Sequence, residues 1–320
     1  MANASGDESG LPPHVKGTVI TVGTFDGVHR GHRDVIEKLV SRSRARRLPS
    51  VLVTFEPHPM EIVNPAAAPL LLTTREEKLE VLAESGIDYL AVVPFTPDLA
   101  AFSAEEFVEN VLRRRFRFEE LLIGYDHGFG RQRAGNVSVL RELGARDGFT
   151  VEVVDAVAAP DGHSVSSTSI RRAVAGGDLE RACAGLGRPY SVSGRVIQGE
   201  QRGRSLGFPT LNLGAAPARK LLPPEGVYAV RVQTPRGPAG GMLNLGPRPT
   251  FGDSTTTLEA HLFDTDGDFY GAQVRLDFIA RIRETRQFSS KEHLVKQLRQ
   301  DELDARDALT LSSSPDNLKG

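Results

Sequence analysis

Two histidines three residues apart, His29 and His32, stand in the segment "GTFDGVHRGH" directly after an apolar run. Three glycines in the same segment, Gly23, Gly27 and Gly31, let a backbone approach a polyphosphate closely. Imidazole rings beside them can donate hydrogen bonds to phosphate oxygens as charge develops during attack at phosphorus. "VKGTVITVG" reads as a buried strand and "RDVIEKLVSRSRARR" as a helix, whose unpaired N–H groups favour anions. This spacing predicts a phosphate-handling loop at a strand-to-helix junction.

A second candidate for phosphate binding is "SSTSIRR", residues 166–172. Ser166, Ser167 and Thr168 can cap a helix. Arg171 lies three residues beyond Thr168, on the same side of that helix, where its guanidinium can fork onto a phosphate. Alone this is only a helix N-terminus signal, but with the histidine segment upstream it predicts a second phosphate clamp. Neither segment matches G-x-G-x-x-G, and the chain contains no GK[ST] of a Walker A loop.

The second half of the chain carries a different glycine-containing segment, "RGRSLGFPTLN". Gly203 and Gly207 can wrap phosphates with backbone N–H groups and need no Walker lysine. Thr210 and Asn212 are two residues apart, so both side chains face the same side of an extended segment. Two neutral oxygens there suit a hard cation that bridges nucleotide phosphates, which is the behaviour of Mg²⁺.

A carboxylate in a predicted strand is the candidate base of this second site. Glu259 lies in "TLEAHLF", where Leu258, Ala260 and Leu262 form the apolar set. Strand alternation places Glu259 on the opposite face, together with Thr257 and His261. A carboxylate within hydrogen-bond reach of a hydroxyl can both orient that nucleophile and accept its proton.

The elements that must position these residues change in character near residue 188. From residue 15 to 188, short apolar runs alternate with amphipathic helical stretches, which predicts a doubly wound parallel sheet. From residue 189 to 308, short alternating runs broken by Gly, Pro and Asp predict an antiparallel sandwich or barrel, closed by a helix that starts at a Ser cap. Residues 1–14 and 311–320 read as flexible tails. The basic cluster "RSRARR" reads as a solvated helix face.

Composition narrows the function classes. The chain has 320 residues, 39% hydrophobic and 25% charged, with a net charge of −2. That balance, without a basic stripe or interleaved aromatics, argues against a nucleic-acid partner. No apolar run approaches a membrane span, and the first 14 residues lack the pattern of a signal peptide. The single cysteine, Cys183, excludes an internal disulfide. We expect a cytoplasmic protein that acts on small molecules, and the sequence makes no prediction of oligomeric state.

These segments resemble two enzyme families. "GTFDGVHRGH", "GYDHGFGRQRAGN" and "SSTSIRR" resemble the signatures of the HxGH nucleotidyltransferases in the form found in bacterial FAD synthetases. "FEPHP", with His58, is similar to a further stretch of that family, although a proline-rich strand exit explains it equally well. "RGRSLGFPTLN", "PPEGVYAVRV", "NLGPRPTF" and "LEAHLFDTDGDFYG" resemble the riboflavin kinases, in that family's order and spacing. The resemblance covers roughly residues 15–308.

The resemblance implies a Rossmann-like nucleotidyltransferase domain followed by an antiparallel β-barrel with a C-terminal helix. It also implies that riboflavin is phosphorylated to FMN and that FMN is then adenylylated to FAD, with ATP as co-substrate and Mg²⁺ as cofactor. In the family, the glutamate at the place of Glu259 resembles a general base for the ribityl 5′-hydroxyl. The implied catalytic residues are His29, His32, Arg171 and Glu259. The implied binding residues are Gly23, Phe25, Asp26, Gly31, Asp126, Ser166, Ser167, Thr168, Gly203, Gly207, Pro209, Thr210 and Asn212, with Thr210 and Asn212 as the metal ligands.

An alternative keeps the kinase and treats the first domain as a degenerate module that binds flavin or nucleotide for regulation. The atypical loop "DHGFG" supports it, because His127 stands where Phe is usual in the family and Gly128 stands where a long side chain is common. Formation of FAD from FMN separates the two interpretations.

Overall fold

A computed structural model of the chain describes residues 10–124, 135–155, 165–199, 203, 206–247, 256–265 and 267–312. By their contacts the described residues separate into two compact units. The first contains residues 10–69, 78–124, 135–155 and 165, and the second contains residues 70–77 and those from 166 onward. The domain limits predicted from the sequence, 15–188 and 189–308, stay a prediction.

The first unit is built on a five-stranded parallel sheet in the order β3-β2-β1-β4-β5. This confirms the doubly wound, Rossmann-like fold that the alternation of strands and helices predicts. Its elements are β1 Thr18–Val22, α1 Arg30–Arg46, β2 Ser50–Glu56, α2 Pro59–Val63, a 3₁₀ turn Pro65–Ala67, α3 Arg75–Ala83, β3 Tyr89–Pro94, α4 Pro97–Ala101, α5 Ala104–Phe107, a π-helical stretch Val108–Arg113, α6 Arg114–Phe116, β4 Phe118–Gly124, α7 Val137–Asp147 and β5 Thr150–Val154.

Strand alternation divides the apolar side chains of this sheet between two cores. Ile20 and Val22 of β1 point into one core, which also contains side chains of α5, the π-helical stretch and α7. Val19 points into the other, with α1 and Leu82 of α3. Because both faces of the sheet are covered, the strands read as continuous apolar runs. Leu11, in the segment predicted to be a tail, is 7% exposed and packs into the first core.

The second unit is built on a closed antiparallel barrel in the order β10-β7-β6-β11-β8-β9. The strand pattern alone leaves a sandwich or a barrel open, and the structure confirms the barrel that the family resemblance implies. Helix α10 packs through Ala305 against a core cluster that contains Ala229 of β8 and Met242 of β9. The elements are α8 Ser167–Gly176, α9 Leu179–Leu186, β6 Tyr190–Ile197, β7 Leu211–Leu213, β8 Gly226–Thr234, β9 Gly237–Pro247, β10 Thr256–Leu262, β11 Gln273–Arg283 and α10 Lys291–Leu311.

Four helices begin at caps that the sequence signals. At the start of α3, the backbone N–H groups of Thr74 and Glu77 each donate a hydrogen bond to the other residue's side chain. Ser103 and Glu106 form the same reciprocal pair at the start of α5. Ser166 caps α8 and Ser290 caps α10. The helix after Ser103 does not continue as regular α-helix, because residues 108–113 form π-type turns.

The arginines of the basic cluster "RSRARR" are exposed, as the sequence predicts, and two of them also pair with a buried acid. Nε of Arg42 lies 2.7 Å and Nη1 of Arg46 lies 2.6 Å from the carboxylate of Glu120 in β4, which is fully buried. Burial raises the pKa of Glu120, but the hydrogen bonds and charges of the two arginines outweigh it and leave that pKa below its ordinary value. The last turns of α1 therefore neutralise a buried acid.

A buried ion pair ties residues 70–77 to the barrel within the second unit. Nζ of Lys220 lies 2.6 Å from Oε2 of Glu77 and 2.7 Å from the carbonyl oxygens of Leu72 and Ser191. Oε1 of Glu77 accepts a hydrogen bond from the backbone N–H of Ser193 at 2.7 Å. Both charged groups are hydrogen-bonded, which offsets the cost of removing them from water.

Among the described residues, no helix combines the length and apolar character of a membrane span.

Candidate active sites

The first site lies where β1 runs into α1, at the carboxyl edge of the parallel sheet. His29 is the N-cap of α1, and its Nδ1 accepts a hydrogen bond from the backbone N–H of His32 at 3.3 Å. A ring nitrogen that accepts must be unprotonated, so His29 is neutral in this arrangement and carries its proton on Nε2. His29 therefore presents one N–H donor, in an orientation that the helix cap determines.

His32 stacks on His29, with ring centroids 3.6 Å apart and an interplanar angle of 17°. Burial, the nearby ring of His29 and the charge of Lys78 together hold the pKa of His32 well below its ordinary value of 6.5. Nδ1 of His32 is buried and has no hydrogen-bond partner among the residues that the structure describes. The two rings therefore form a stacked pair in which His29 accepts at Nδ1 and His32 favours its neutral form.

The backbone around the histidines has little room for larger residues. A Cβ on Gly31 would lie 3.3 Å from both Cε1 and Nδ1 of His29, and a Cβ on Gly23 would lie 3.1 Å from the ring of Phe25. Phe25 and Val28 both adopt left-handed backbone conformations, with φ of 48° and 40°. Since such conformations are costly for large side chains, the tight packing of this loop must maintain them.

A residue that the sequence reasoning did not single out, Lys78 of α3, also reaches this edge of the sheet. Its Nζ lies 3.4 Å from the carbonyl oxygens of Thr24 and Phe55 and from Oγ1 of Thr54. Oε2 of Glu56 is 3.9 Å away. Helical periodicity places Lys78 on a helix, but its direction depends on how α3 packs against the sheet.

The other residues predicted for this reaction are only partly tested. Asp26 is buried, at 3% exposure. Ser166 caps α8 as predicted, and Nε of Arg171 donates to the carbonyl of Leu70 at 2.9 Å. Ser166, Ser167, Thr168 and Arg171 belong to the second compact unit, so their role as a second phosphate clamp stays a prediction. Asp126 lies outside the described residues.

His58 caps a helix, a role that the sequence alone does not reveal. It caps α2, where its Nδ1 accepts from the N–H of Met60 at 3.2 Å, and Glu61 accepts from the N–H of His58. This helix cap agrees with the proline-rich strand exit that is the plainer interpretation of "FEPHP".

The second site begins with the glycine-containing segment before β7. The carbonyl of Gly203 accepts from the N–H groups of Leu206 at 3.0 Å and Phe208 at 2.9 Å, which makes a compact turn. Gly207 in this turn has φ of 84°, a left-handed conformation that favours glycine. A Cβ on Gly199 would lie 2.2–2.8 Å from the side-chain amide of Asn212. The absence of that Cβ provides the space in which the amide lies.

The barrel register places Glu259 between two asparagines. Glu259 of β10 is directly opposite Asn212 of β7 on one side and Asn244 of β9 on the other. The neighbours Leu258 and Ala260 are buried, at 1% and 0% exposure, so Glu259 lies on the outward face as predicted. Residues opposite each other in an antiparallel ladder have Cβ atoms about 5 Å apart. Asn244 was not singled out from the sequence, because only the strand pairing brings it next to Glu259.

His261, two residues further along β10, holds the glycine-containing segment against the strand that carries Glu259. Its Nδ1 lies 2.7 Å from the carbonyl oxygen of Pro209, which can only accept, so Nδ1 carries the proton. Its ring also meets that of Phe208 edge-on, at 5.3 Å between centroids. Pro209 and Thr210 are thereby positioned beside the strand that carries Glu259.

Comparison with known proteins matches the two halves of the chain to two different enzyme families. Residues 11–169 match the family model for FAD synthetase, and residues 186–309 match the model for riboflavin kinase. A bifunctional riboflavin kinase/FMN adenylyltransferase from Escherichia coli K12 is 38% identical over 298 residues, which cover 93% of this chain and 94% of that protein. This chain belongs to that family.

A second relative and a solved structure are also similar to this chain. The bifunctional riboflavin kinase/FMN adenylyltransferase of Pseudomonas fluorescens is also 38% identical, over 92% of this chain and 94% of its own length. A crystal structure described as a macrolide-efflux protein from Streptococcus pneumoniae superposes with a TM-score of 0.82 and 29% identity. It covers 94% of this chain and 97% of its own, so the fold matches over nearly the whole length.

Proposed function

We propose that this chain phosphorylates riboflavin with ATP to FMN and then adenylylates FMN with ATP to FAD, releasing pyrophosphate. The observation that carries the proposal is the match of one chain, over 93% of its length, to enzymes that are named for both activities. We assign the adenylyl transfer to residues 15–188 and the kinase to residues 189–308, which agrees with family models at 11–169 and 186–309.

For the kinase step, we assign Glu259 as the general base. Its carboxylate accepts the proton of the ribityl 5′-hydroxyl, while that oxygen attacks the γ-phosphorus of ATP and ADP leaves. The register beside Asn212 and Asn244 determines where the carboxylate lies. The turn at Gly203 and Gly207 offers backbone N–H groups near the phosphates.

For the adenylyl transfer, a phosphate oxygen of FMN attacks the α-phosphorus of ATP, and the bond to pyrophosphate breaks. No covalent enzyme intermediate is needed, so the protein contributes positioning and charge stabilisation. Nε2–H of His29 donates to a phosphate oxygen, and the neutral ring of His32 supports it through the stack at 3.6 Å. We assign Arg171, Ser166, Ser167 and Thr168 to a second clamp on the phosphates.

Mg²⁺ is the cofactor that we infer for the kinase step. Thr210 and Asn212 supply neutral oxygens, which suit a hard cation. The Asn212 amide lies in the space that Gly199 leaves, so its position is well determined before any ion binds. Mg²⁺ there would offset the negative charge of the nucleotide phosphates.

The alternative function, a kinase with a degenerate first domain, is not favoured. The residues that we assign to adenylyl transfer, His29, Gly31 and His32, lie together, with a helix cap at His29 and a ring stack between the histidines. The atypical loop "DHGFG" lies outside the described residues and adds nothing to that alternative.

Incubation of the purified protein with riboflavin, ATP and Mg²⁺, followed by chromatography of the flavins, tests the proposal. We expect FMN to appear first and FAD to follow. Accumulation of FMN without FAD would contradict the proposed adenylyl transfer and leave the proposed kinase activity standing.

We also infer a cytoplasmic location, because both reactions consume ATP. Cell fractionation tests this inference.

A further inference from the structure

We propose that Lys78 binds the phosphates of ATP during adenylyl transfer, in the role that a loop lysine has in Walker A proteins. The inference rests on the proposed function of the first site. It assigns a phosphate contact to a residue of α3, which lies outside every segment that the sequence analysis connected with this reaction.

The position of the ammonium group is the first observation. Three acceptors surround Nζ of Lys78 at 3.4 Å, namely the carbonyls of Thr24 and Phe55 and the hydroxyl of Thr54. Thr24 follows β1 within the histidine segment, and Thr54 and Phe55 lie near the end of β2. Ligands of open parallel sheets bind outside the carboxyl ends of the strands. Lys78 therefore places its charge at the edge where the phosphates are expected.

The charge balance of the site is the second observation. His29 must be neutral to accept the backbone hydrogen bond of His32, and the pKa of His32 lies well below its ordinary value. Neutral rings donate hydrogen bonds but add no net charge against a polyphosphate. Lys78 is close enough to His32 for its charge to help lower that pKa. It brings to the junction the full positive charge that the two rings lack.

The contact lengths are the third observation. Hydrogen bonds from a charged nitrogen to a charged oxygen are about 2.7–2.9 Å long, shorter than the 3.4 Å at which Lys78 meets the oxygens of Thr24, Thr54 and Phe55. Its carboxylate neighbour Glu56 is 3.9 Å away and 37% exposed. A phosphate oxygen would offer Lys78 a shorter, charge-assisted bond than these contacts provide. The side chain itself is only 9% exposed, so its charge is poorly screened by solvent.

A structural role makes a different prediction. If Lys78 only bridges the ends of β1 and β2, then loss of one of its acceptors should resemble loss of the lysine. Thr54→Val removes the hydroxyl and keeps the side-chain shape, and Glu56→Gln removes the nearby carboxylate. Neither change removes the cation, so these two variants are matched controls for Lys78→Met.

The measurement uses the reverse reaction of the full chain, in which pyrophosphate attacks the adenylyl phosphorus of FAD, the bond to FMN breaks, and ATP and FMN form. Pyrophosphate has no part in the kinase step, so kcat/KM for pyrophosphate reports on the first site alone. Calorimetric binding of Mg²⁺-pyrophosphate adds a readout without catalysis. Circular dichroism and urea unfolding of the same sample verify folding, since riboflavin phosphorylation reports only on the second unit.

We expect Lys78→Met to lower kcat/KM for pyrophosphate by about 10²-fold and to weaken pyrophosphate binding, as loss of one charge-stabilising donor does. Lys78→Arg should recover part of that loss, and it still tests the proposal if the methionine variant does not fold. Thr54→Val and Glu56→Gln should stay within about threefold of the wild type. A loss in Lys78→Met that either control reproduces, or a loss below about threefold, overturns the proposal. A wild type without FAD formation in either direction would instead overturn the proposed function.

Discussion

The two sites position their reactive groups by different means. At the end of β1, His29 and His32 are held by a helix cap, a ring stack of 3.6 Å and a glycine at which a Cβ would lie 3.3 Å from the His29 ring. On the barrel, Glu259 is positioned by strand register, between Asn212 and Asn244 on an outward face. The first arrangement is local in sequence, and the second requires three separate strands.

This difference determines how each site can fail. Local packing around the histidines is sensitive to single atoms, because the surrounding groups are already in contact. A register-based site tolerates small local changes, but a slip of one residue would turn Glu259 to the other face of the sheet. The burial of the first site also controls protonation, since it holds the pKa of His32 below the physiological range.

The largest expected effect is at the barrel. Glu259→Gln preserves the shape of the side chain and its place in the register but removes the base, so riboflavin phosphorylation should fall by about 10²–10⁴-fold. Conversion of added FMN to FAD should continue at the wild-type rate. The measurement is chromatography of flavins from parallel reactions started with riboflavin or with FMN. Loss of both activities in a folded protein would contradict the separation of the two sites.

His32→Ala is the complementary change at the sheet. It removes the stack on His29, and FAD formation should fall by about 10²–10³-fold while FMN still accumulates from riboflavin. The same pair of assays measures it. If the variant made FAD normally, the histidine pair would have no part in adenylyl transfer.

A single methyl group tests the claim that the first site depends on close packing. In Gly31→Ala the new Cβ would lie 3.3 Å from the His29 ring, and the required shift should reduce FAD formation about tenfold. Gly176→Ala, in α8, is the matched control, because a Cβ there meets nothing within 4 Å. Equal activities of the two variants would show that the contact with His29 is unimportant.

The smallest expected effect concerns pH. Because the folded pKa of His32 is lowered, the unfolded ring binds a proton below about pH 6.5 that the folded ring does not. Stability therefore rises with pH between the folded pKa and 6.5, by up to about 1.4 kcal/mol per pH unit from this group. Urea unfolding of the wild type and of His32→Gln from pH 5.5 to 7.5 should show a weaker pH dependence in the variant. Parallel profiles would contradict the pKa direction.

Much of the fold and of both sites could be predicted, because their signals are local. The alternation of apolar runs and helices indicates the parallel sheet, and the caps at Thr74, Ser103, Ser166 and Ser290 lie next to the helices that they begin. The histidine pair works through a cap spanning three residues. Strand alternation also places Glu259 correctly opposite to the buried face of β10.

What could not be predicted depends on partners far away in sequence. The sequence marks Arg42 and Arg46 as a basic helix face, but only the packing of α1 on β4 brings them to a buried carboxylate 78 and 74 residues away. Glu77 and Lys220 are 143 positions apart, so only the packing of the second unit brings them together. A charged residue looks the same in a sequence whether it faces water or a buried partner.

The sequence by itself determined which chemistry this chain can carry, because its motifs place the needed donors within one turn or one strand. The tertiary structure alone decided that Asn244 joins Glu259 and that Lys78 reaches the ends of β1 and β2. It also confirmed the barrel where the strand pattern by itself left a sandwich open. The physical reason is that strand closure, register and helix packing are set by contacts between distant segments, which leave no pattern at any one position of the chain.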